Sequence, residues 1–205
     1  MRTVAELGRF ALVPSGTWEI DAARSTVAFE VRHLGLTQVQ GRFDVIAGTI
    51  SCNGAGVASI DGAVGVASVD TGDARRDALL RASDFFDIER HPTICFSGVA
   101  APAGTGAGLV VRGTMTMRGV SRPLELRAEP SRAAAGGNHG DLRIRAQGIV
   151  SRRDFELDWD PAFAFGGLVI GDRVRLRFDV AVVRRAAASR AAEPMSPACR
   201  SKGRR

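Results

Sequence analysis

The sequence predicts an all-β protein, an antiparallel barrel of about eight strands carrying one short helix. Three observations carry this. Apolar and polar residues alternate with a period of two through most of the chain. Glycine is abundant at 24 residues and tyrosine is absent, which suits many short strands and turns better than a helical bundle. One run alone, residues 71–96 (TGDARRDALLRASDFFDIERHPTICF), is dense in charge, aromatic and helix-prone. At 205 residues there is enough chain for one domain, and no second hydrophobic block argues for two. A sheet this long tends to close and remove its edges. Closure at about eight strands leaves a lumen that side chains fill or that holds one ligand. A two-sheet sandwich remains the alternative.

Residues 1–16 are a lead-in without pattern. Trp18 and Ile20 start a short strand, and residues 21–24 make a turn. Residues 25–32 then alternate, with Val27, Phe29 and Val31 on one face against Thr26, Ala28, Glu30 and Arg32 on the other, the mark of a half-buried strand. Residues 39–50 continue with Val39, Gly41, Phe43 and Val45, and Gly48 is expected to bulge or bend. Asn53-Gly54 signals a turn, and residues 57–69 return with Ile60, Val64 and Val66. Asp73 is a good N-cap for a two-turn helix over 74–81. Phe85 and Phe86, between Asp84 and Asp87, have to point somewhere dry. Pro92 favours an extended entry into a strand over 93–100. Strands follow at 109–117, 123–128, 142–150 and 172–183, separated by glycine-rich or small-residue loops and by the aromatic-rich stretch 151–171.

The net charge of +6 invites a nucleic-acid reading, but its location removes it. Residues 184–205 hold seven basic residues against Glu193 alone, so the rest of the chain carries 21 basic and 21 acidic residues and is neutral. That basic tail, residues 185–205 in the domain division, has Pro194 and Pro197, few large apolar residues and the composition of a disordered segment. It reads first as a solubilising or vestigial extension, with weak attachment to anionic lipid or nucleic acid, at about 1 kcal/mol per charge, as the sharper alternative. Cys52, Cys95 and Cys199 are odd in number and scattered, which is no disulfide framework, and Cys95 reads as a small buried hydrophobe. Glu6 and Arg9 interrupt the first residues, so neither a secretory signal nor a membrane span is expected and the cytoplasm is the default.

Several motifs in order give the chain a family resemblance. Arg76-Asp77, Leu80-Arg81 and Asp84-Phe85-Phe86-Asp87 resemble the signature of the YceI-like family of polyisoprenoid-binding proteins. Trp18, Ile20, Asp21, Ser25, Phe29 and the run from Val31 to Gly35 fit it too, as do residues 115–123 and Arg153-Asp154-Phe155. The likeness spans residues 17–184, taken as one domain. It implies a lipocalin-like barrel that binds a polyisoprenoid or a similar amphiphile. Three departures stand out: Arg24 and Leu79 replace frequent family histidines, and Glu156 replaces a usual glycine after Asp-Phe.

Chemistry-bearing motifs are few. His33, His91 and His139 lie in three regions without metal-ligand spacing, so no metal site is expected. Neither a nucleophile elbow nor a phosphate cradle is present. What remains is an inward apolar surface: Phe29, Val31, Phe43, Val64, Val66, Phe96, Met115, Met117, Ile144 and Phe178 are the candidate lining, each equally readable as ordinary core. Gly41, Gly62, Gly98, Gly113, Ala146 and Gly148 leave volume along that surface or else bend strands. Arg32, His33, Arg76, Asp77, Phe85, Phe86 and Arg153 are the candidate mouth, facing a quinone or phosphate head, with Asp–Arg pairing that pins the helix as the competing role.

Each buried methylene contributes about 0.8 kcal/mol, so one isoprene unit brings roughly 3–4 kcal/mol before ordering losses. Non-enzymatic binding, sequestration or transport of a long-chain isoprenoid or fatty amphiphile therefore leads, with a bound lipid or quinone as ligand and no cofactor. A barrel enzyme moving a proton on a buried substrate, with His33 or Asp77 as base, is the second reading. An interaction protein using the tail is the third. The sequence leaves the oligomeric state open, a homodimer included.

Overall fold

The structure is a computed structural model that describes residues 13–33, 37–53, 56–104, 108–132, 141–158 and 170–185. Its strands are β1 (Gly16–Ile20), β2 (Thr26–His33), β3 (Thr37–Phe43), β4 (Ile46–Cys52), β5 (Ala58–Gly65), β6 (Val69–Asp70), β7 (Thr93–Pro102), β8 (Leu109–Met117), β9 (Val120–Arg132), β10 (Leu142–Ser151) and β11 (Ile170–Arg184). The helix α1 spans Ala74–Arg81. All pairings are antiparallel, and β1 pairs with β11 as well as β4, so the sheet closes into a ring.

The eleven hydrogen-bonded segments are eight long strands, three of them kinked. Strand β11 pairs with β2 along its first part and with β1 at its end, so β1 and β2 are one strand interrupted by the 3-10 turn Ala22–Arg24. Strands β3 and β4 break together at Asp44 and Val45, whose N–H groups both donate to Ser68 Oγ at 3.2 and 3.1 Å. Strand β5 leaves the ladder at Gly65, turns through Val66–Ser68 and rejoins β3 as β6. Beyond Gly65 it has therefore parted from β7, and α1 with the following turn occupies the gap. The bend expected at Gly48 falls at Asp44–Val45 instead: Gly48 stays in regular register opposite Gly62, with Ile20 lying over it.

Helix α1 is polar, and Asp77 is its one buried residue, so it depends on hydrogen bonds for its seat. Asp73 Oδ1 accepts from the N–H groups of Arg75 and Arg76 at 3.0 and 3.1 Å, the N-cap that the sequence predicts. Arg81 donates from Nε to Ala67 O and from Nη2 to Val69 O, tying the last turn to β6. Phe86 N–H then donates to Leu80 O and Asp87 N–H to Ala82 O, curling the Asp-Phe-Phe-Asp segment so that its rings face the barrel.

One end of the barrel is solid. Trp18 is 2% exposed, and its indole Nε1 donates to Pro14 O at 3.1 Å. Val182 and Leu142 are buried with it and, like it, do not line the cavity described below. Cys95 on β7 is buried, as expected, and Cys52 is free and buried.

Candidate functional site

Inside the barrel, inward side chains that alternation should bury stay partly exposed, among them Phe29, Ile60, Val64, Phe96, Ile144, Leu176 and Phe178. They border a cavity of about 550 Å³, within the range that holds one drug-sized ligand. Nine of the ten expected lining residues stand on its wall: Phe29, Val31, Phe43, Val64, Phe96, Met115, Met117, Ile144 and Phe178. Val66 does not. The 3-10 turn takes it out of the strand register into solid core, where it is 1% exposed.

The inward glycines behave differently from one another. Phe96 lies across Gly98 and Gly113, its Cζ 2.8 and 2.6 Å from where their Cβ atoms would be. Phe29 covers Gly41 in the same way at 2.3 Å, and Leu126 covers Gly148 at 2.5 Å. These positions are small because a neighbouring side chain already fills them, which corrects the expectation of unfilled volume there. Gly62 is the exception: an added Cβ would meet only Ala47 O at 3.7 Å, and Gly62 lines the cavity.

An aromatic chain runs from the turn after α1 into the wall. Phe85 and Phe86 meet edge to face at 4.7 Å, Phe86 meets Phe43 at 6.2 Å, and Phe43 meets Phe29 at 5.5 Å. Phe85, Phe86, Leu79 and Leu80 all line the cavity, so the helix and its turn are part of the chamber.

The polar lining consists of Gln38, Thr71, Arg76 and Arg152, with Cys95 beside them. Arg76 donates from Nε to Thr71 Oγ1 and from Nη2 to Thr71 O, both at 2.8 Å. Asp77 Oδ1 in turn accepts from Thr71 Oγ1 at 2.6 Å and from Thr71 N–H at 3.0 Å. Helix pinning thus runs through Thr71 and involves no direct Arg76–Asp77 ion pair. Asp77 is buried behind Thr71 and is absent from the cavity wall.

Two expected mouth arginines point elsewhere. Arg32 is exposed on the outer face opposite Gln38, because strand alternation sends it away from Val31. Arg153 is exposed on a 3-10 turn, and its neighbour Arg152 takes the inner position, 6% exposed, donating from Nη1 to Leu157 O at 2.5 Å. The backbone N–H of Arg153 instead joins Ser151 Oγ on the Asp172 carboxylate, and these bonds, the serine's above all, hold that carboxyl below its usual range. The sequence marked the segment but not the residue, because period two ends at Ser151. The side chain of His33, and all of His139, Trp159, Phe163, Phe165, Cys199 and the tail from residue 186, lie outside the described residues.

Of the family departures, Arg24 pairs with Asp21 and Asp141 on the outside, away from the lumen. Leu79 replaces its histidine on the cavity wall itself. Glu156 occupies a left-handed conformation at φ 58°, where glycine would be unstrained. Among the described residues no group of acidic, histidine and cysteine side chains could hold a metal ion, and no helix is long and apolar enough to cross a membrane.

Comparison with known proteins agrees with this geometry. A UPF0312 protein of Shewanella baltica (strain OS185) is 31% identical over 110 residues, 53% of this chain and 58% of that protein. One from Vibrio cholerae (strain M66-2) is 31% identical over 109 residues, 52% of this chain and 58% of that protein. The matched part thus spans little over half the length of these relatives. Among solved structures, BcnA of Burkholderia cenocepacia superposes with a TM-score of 0.69 at 20% identity, covering 80% of this chain and 99% of that one. A polyisoprenoid binding domain from Saccharophagus degradans, described as implicated in plant cell wall breakdown, gives 0.64 at 20% identity, covering 82% and 98%. At such identity these two establish the shared barrel. The model of the YceI-like domain matches residues 18–182, nearly the whole described barrel, and the chain belongs to the YceI-like family.

Proposed function

We propose that the barrel binds a long-chain amphiphile of the polyisoprenoid class with its tail in the lumen, and sequesters or carries it without chemical change. The cavity of about 550 Å³, apolar except for a few side chains including Arg76 and Arg152, carries this reading. Trp18 closes one end, so a chain would enter from the other, past α1 and the Phe85–Phe86 turn. Three isoprene units at roughly 3–4 kcal/mol each would reach micromolar affinity after ordering losses. Arg76, fixed by Thr71, would face the head group, whether quinone or phosphate. The enzyme reading loses one of its two bases, since the Asp77 carboxylate is engaged by Thr71 away from the wall.

Native mass spectrometry of protein purified without detergent, with solvent extraction of any adduct, tests the proposal. A stoichiometric long-chain adduct, or saturable binding of an added prenyl quinone to the apo protein, is expected. Absence of both overturns it. A cytoplasmic location belongs to the proposal as well, and fractionation of the full chain would decide it. Weak membrane contact by the tail and dimerisation belong to the same proposal, read by vesicle binding of a tail variant and by sedimentation.

A further inference from the structure

On the outer wall of the barrel, strand β11 carries Arg173, Arg175 and Arg177 at three successive outward positions, all exposed. Outward neighbours on one strand are about 6.8 Å apart, and like charges so placed oppose one another. Folding alone gives no reason for such a ladder. Its neighbours extend it: register places Arg127 of β9, Gln147 of β10 and Arg177 in one row, and Arg42 continues the row through Ala28. Internal neutralisation is partial. Glu30, 8% exposed, takes Arg177 at 2.7 Å and Arg175 at 3.9 Å, Asp179 takes Arg143 and Arg145, Arg42 pairs with Asp44 and Asp70, and on β9 Glu125, paired with Arg112, and Glu129, opposite Arg145, flank Arg127. Arg127 and Arg173 have no carboxylate within ion-pair distance among the described residues.

Ile149 stands in the middle of this face, directly opposite Arg175 and 49% exposed. With the chain outside residues 184–205 neutral, an arginine-rich wall implies segregated charge. The segment on and after α1 is more mixed, with Asp73, Asp84 and Glu89 exposed beside Arg75 and Arg90. The basic wall also reaches the mouth, since Ile170 and Val174, which flank Arg173, line the cavity.

We propose that this β9–β10–β11 face docks the barrel on an anionic lipid bilayer, with its arginines among the phosphates and Ile149 between head groups, so that the mouth lies at the membrane. A bilayer fits better than a nucleic acid because the centre of the patch is aliphatic and, among the described residues, no aromatic is among the exposed large hydrophobics that would stack bases. The docking deepens the lumen-binding proposal, which it would supply with ligand, but its surface is separate from the lumen.

The test is co-sedimentation of the full chain with vesicles of phosphatidylglycerol and phosphatidylcholine, against phosphatidylcholine alone. Binding to the anionic vesicles only, weakening with salt, is expected. Each arginine near an anionic surface changes the partition about fivefold, so the triple variant R127Q/R173Q/R175Q should lose roughly a hundredfold, with Arg177 left to hold Glu30. Ile149→Ser should weaken vesicle binding several-fold while leaving binding to a single-stranded oligonucleotide unchanged. If the triple variant binds vesicles like wild type and the tail variant R200Q/K202Q/R204Q/R205Q does not, the tail is the contact and the proposal falls. It falls equally if the triple variant loses only oligonucleotide binding. Gly62→Leu, which fills the lumen, should keep vesicle binding. Lipid adducts without vesicle binding would refute the docking alone, and vesicle binding without adducts would refute the lumen reading alone.

Discussion

Filling the lumen from Gly62 should raise stability and weaken lipid binding at once. An added Cβ meets nothing nearer than Ala47 O at 3.7 Å, so a leucine at 62 would extend into the cavity without moving the wall. Its four carbons leave water for an apolar chamber, worth about 3 kcal/mol at 0.8 kcal/mol each. Rotamer restriction takes back about 0.5–1 kcal/mol, and replacing a strand glycine returns a similar amount. A net gain of about 3 kcal/mol should raise the Tm by roughly 6–12 °C for a domain of this size. The same carbons exclude about as many from the ligand, so affinity should fall by about two decades. Thermal unfolding of the apo protein and titration with a prenyl alcohol read the two effects. Gly98→Leu is the comparator: its Cβ would lie 2.6 Å from Arg112 O and 2.8 Å from Gly113 Cα, so it should lose stability. A Gly62→Leu protein that melts lower and binds lipid unchanged would refute the claim that the chamber is empty, apolar and the binding site.

Three further outcomes follow from the geometry. Asp77→Ala removes the acceptor of two hydrogen bonds from Thr71 and should cost about 2–3 kcal/mol by urea denaturation, with Asp77→Asn costing less because it keeps an acceptor. Glu156→Gly should stabilise by about 1 kcal/mol on the same assay, since only glycine adopts the left-handed backbone without strain. Arg143 holds the Asp179 carboxyl below its ordinary range, and Ser151 does the same for Asp172. A carboxyl lowered in the folded state contributes stability that is fully present above its unfolded pKa of about 3.9 and is lost as pH falls through the folded one. Urea midpoints should therefore vary little near neutrality and drop in acid, and Asp179→Asn should flatten that acid limb; an unchanged limb would exclude the pair as its source.

Alternation carried most of the chamber wall, because in a closed sheet the phase of each strand fixes which side chains face inward. Phe29 and Val31 on β2, Met115 and Met117 on β8, and Ile144 on β10 follow from that phase alone. The helix and its cap were also legible, since Asp73 acts on its own next turn. What escaped was set from a distance. The kink at Asp44–Val45 comes from the Ser68 hydroxyl, 23 or more residues away in sequence. Val66 leaves the wall because Pro92 O captures its N–H at 2.9 Å. Arg152 faces inward because two carbonyls, Leu157 O and Ile170 O, accept from its guanidinium, and no spacing rule distinguishes it from Arg153. The glycines misled because their meaning lies in the ring that covers them, across a strand pairing that the sequence does not display.

That covering also explains how the barrel stays hollow without coming apart. In a filled eight-stranded barrel, side chains from opposite strands meet in the middle. Here the largest rings lie along the wall: Phe96 over Gly98 and Gly113, and Phe29 over Gly41. They thicken the wall and give up the centre. Cohesion is left to the closed ladder, whose gap between β6 and β7 is covered by α1 and its turn, and to the solid end around Trp18 and Val182. Phe29 also touches Phe43, Phe43 touches Phe86, and Phe86 touches Phe85 on the turn after α1. Wall and cover are therefore one packing unit. A shift of α1 large enough to admit a chain must repack the ring over Gly41, and a chain in the lumen must press on the same rings, so occupancy and the position of the helix are coupled through Phe43 and Phe86.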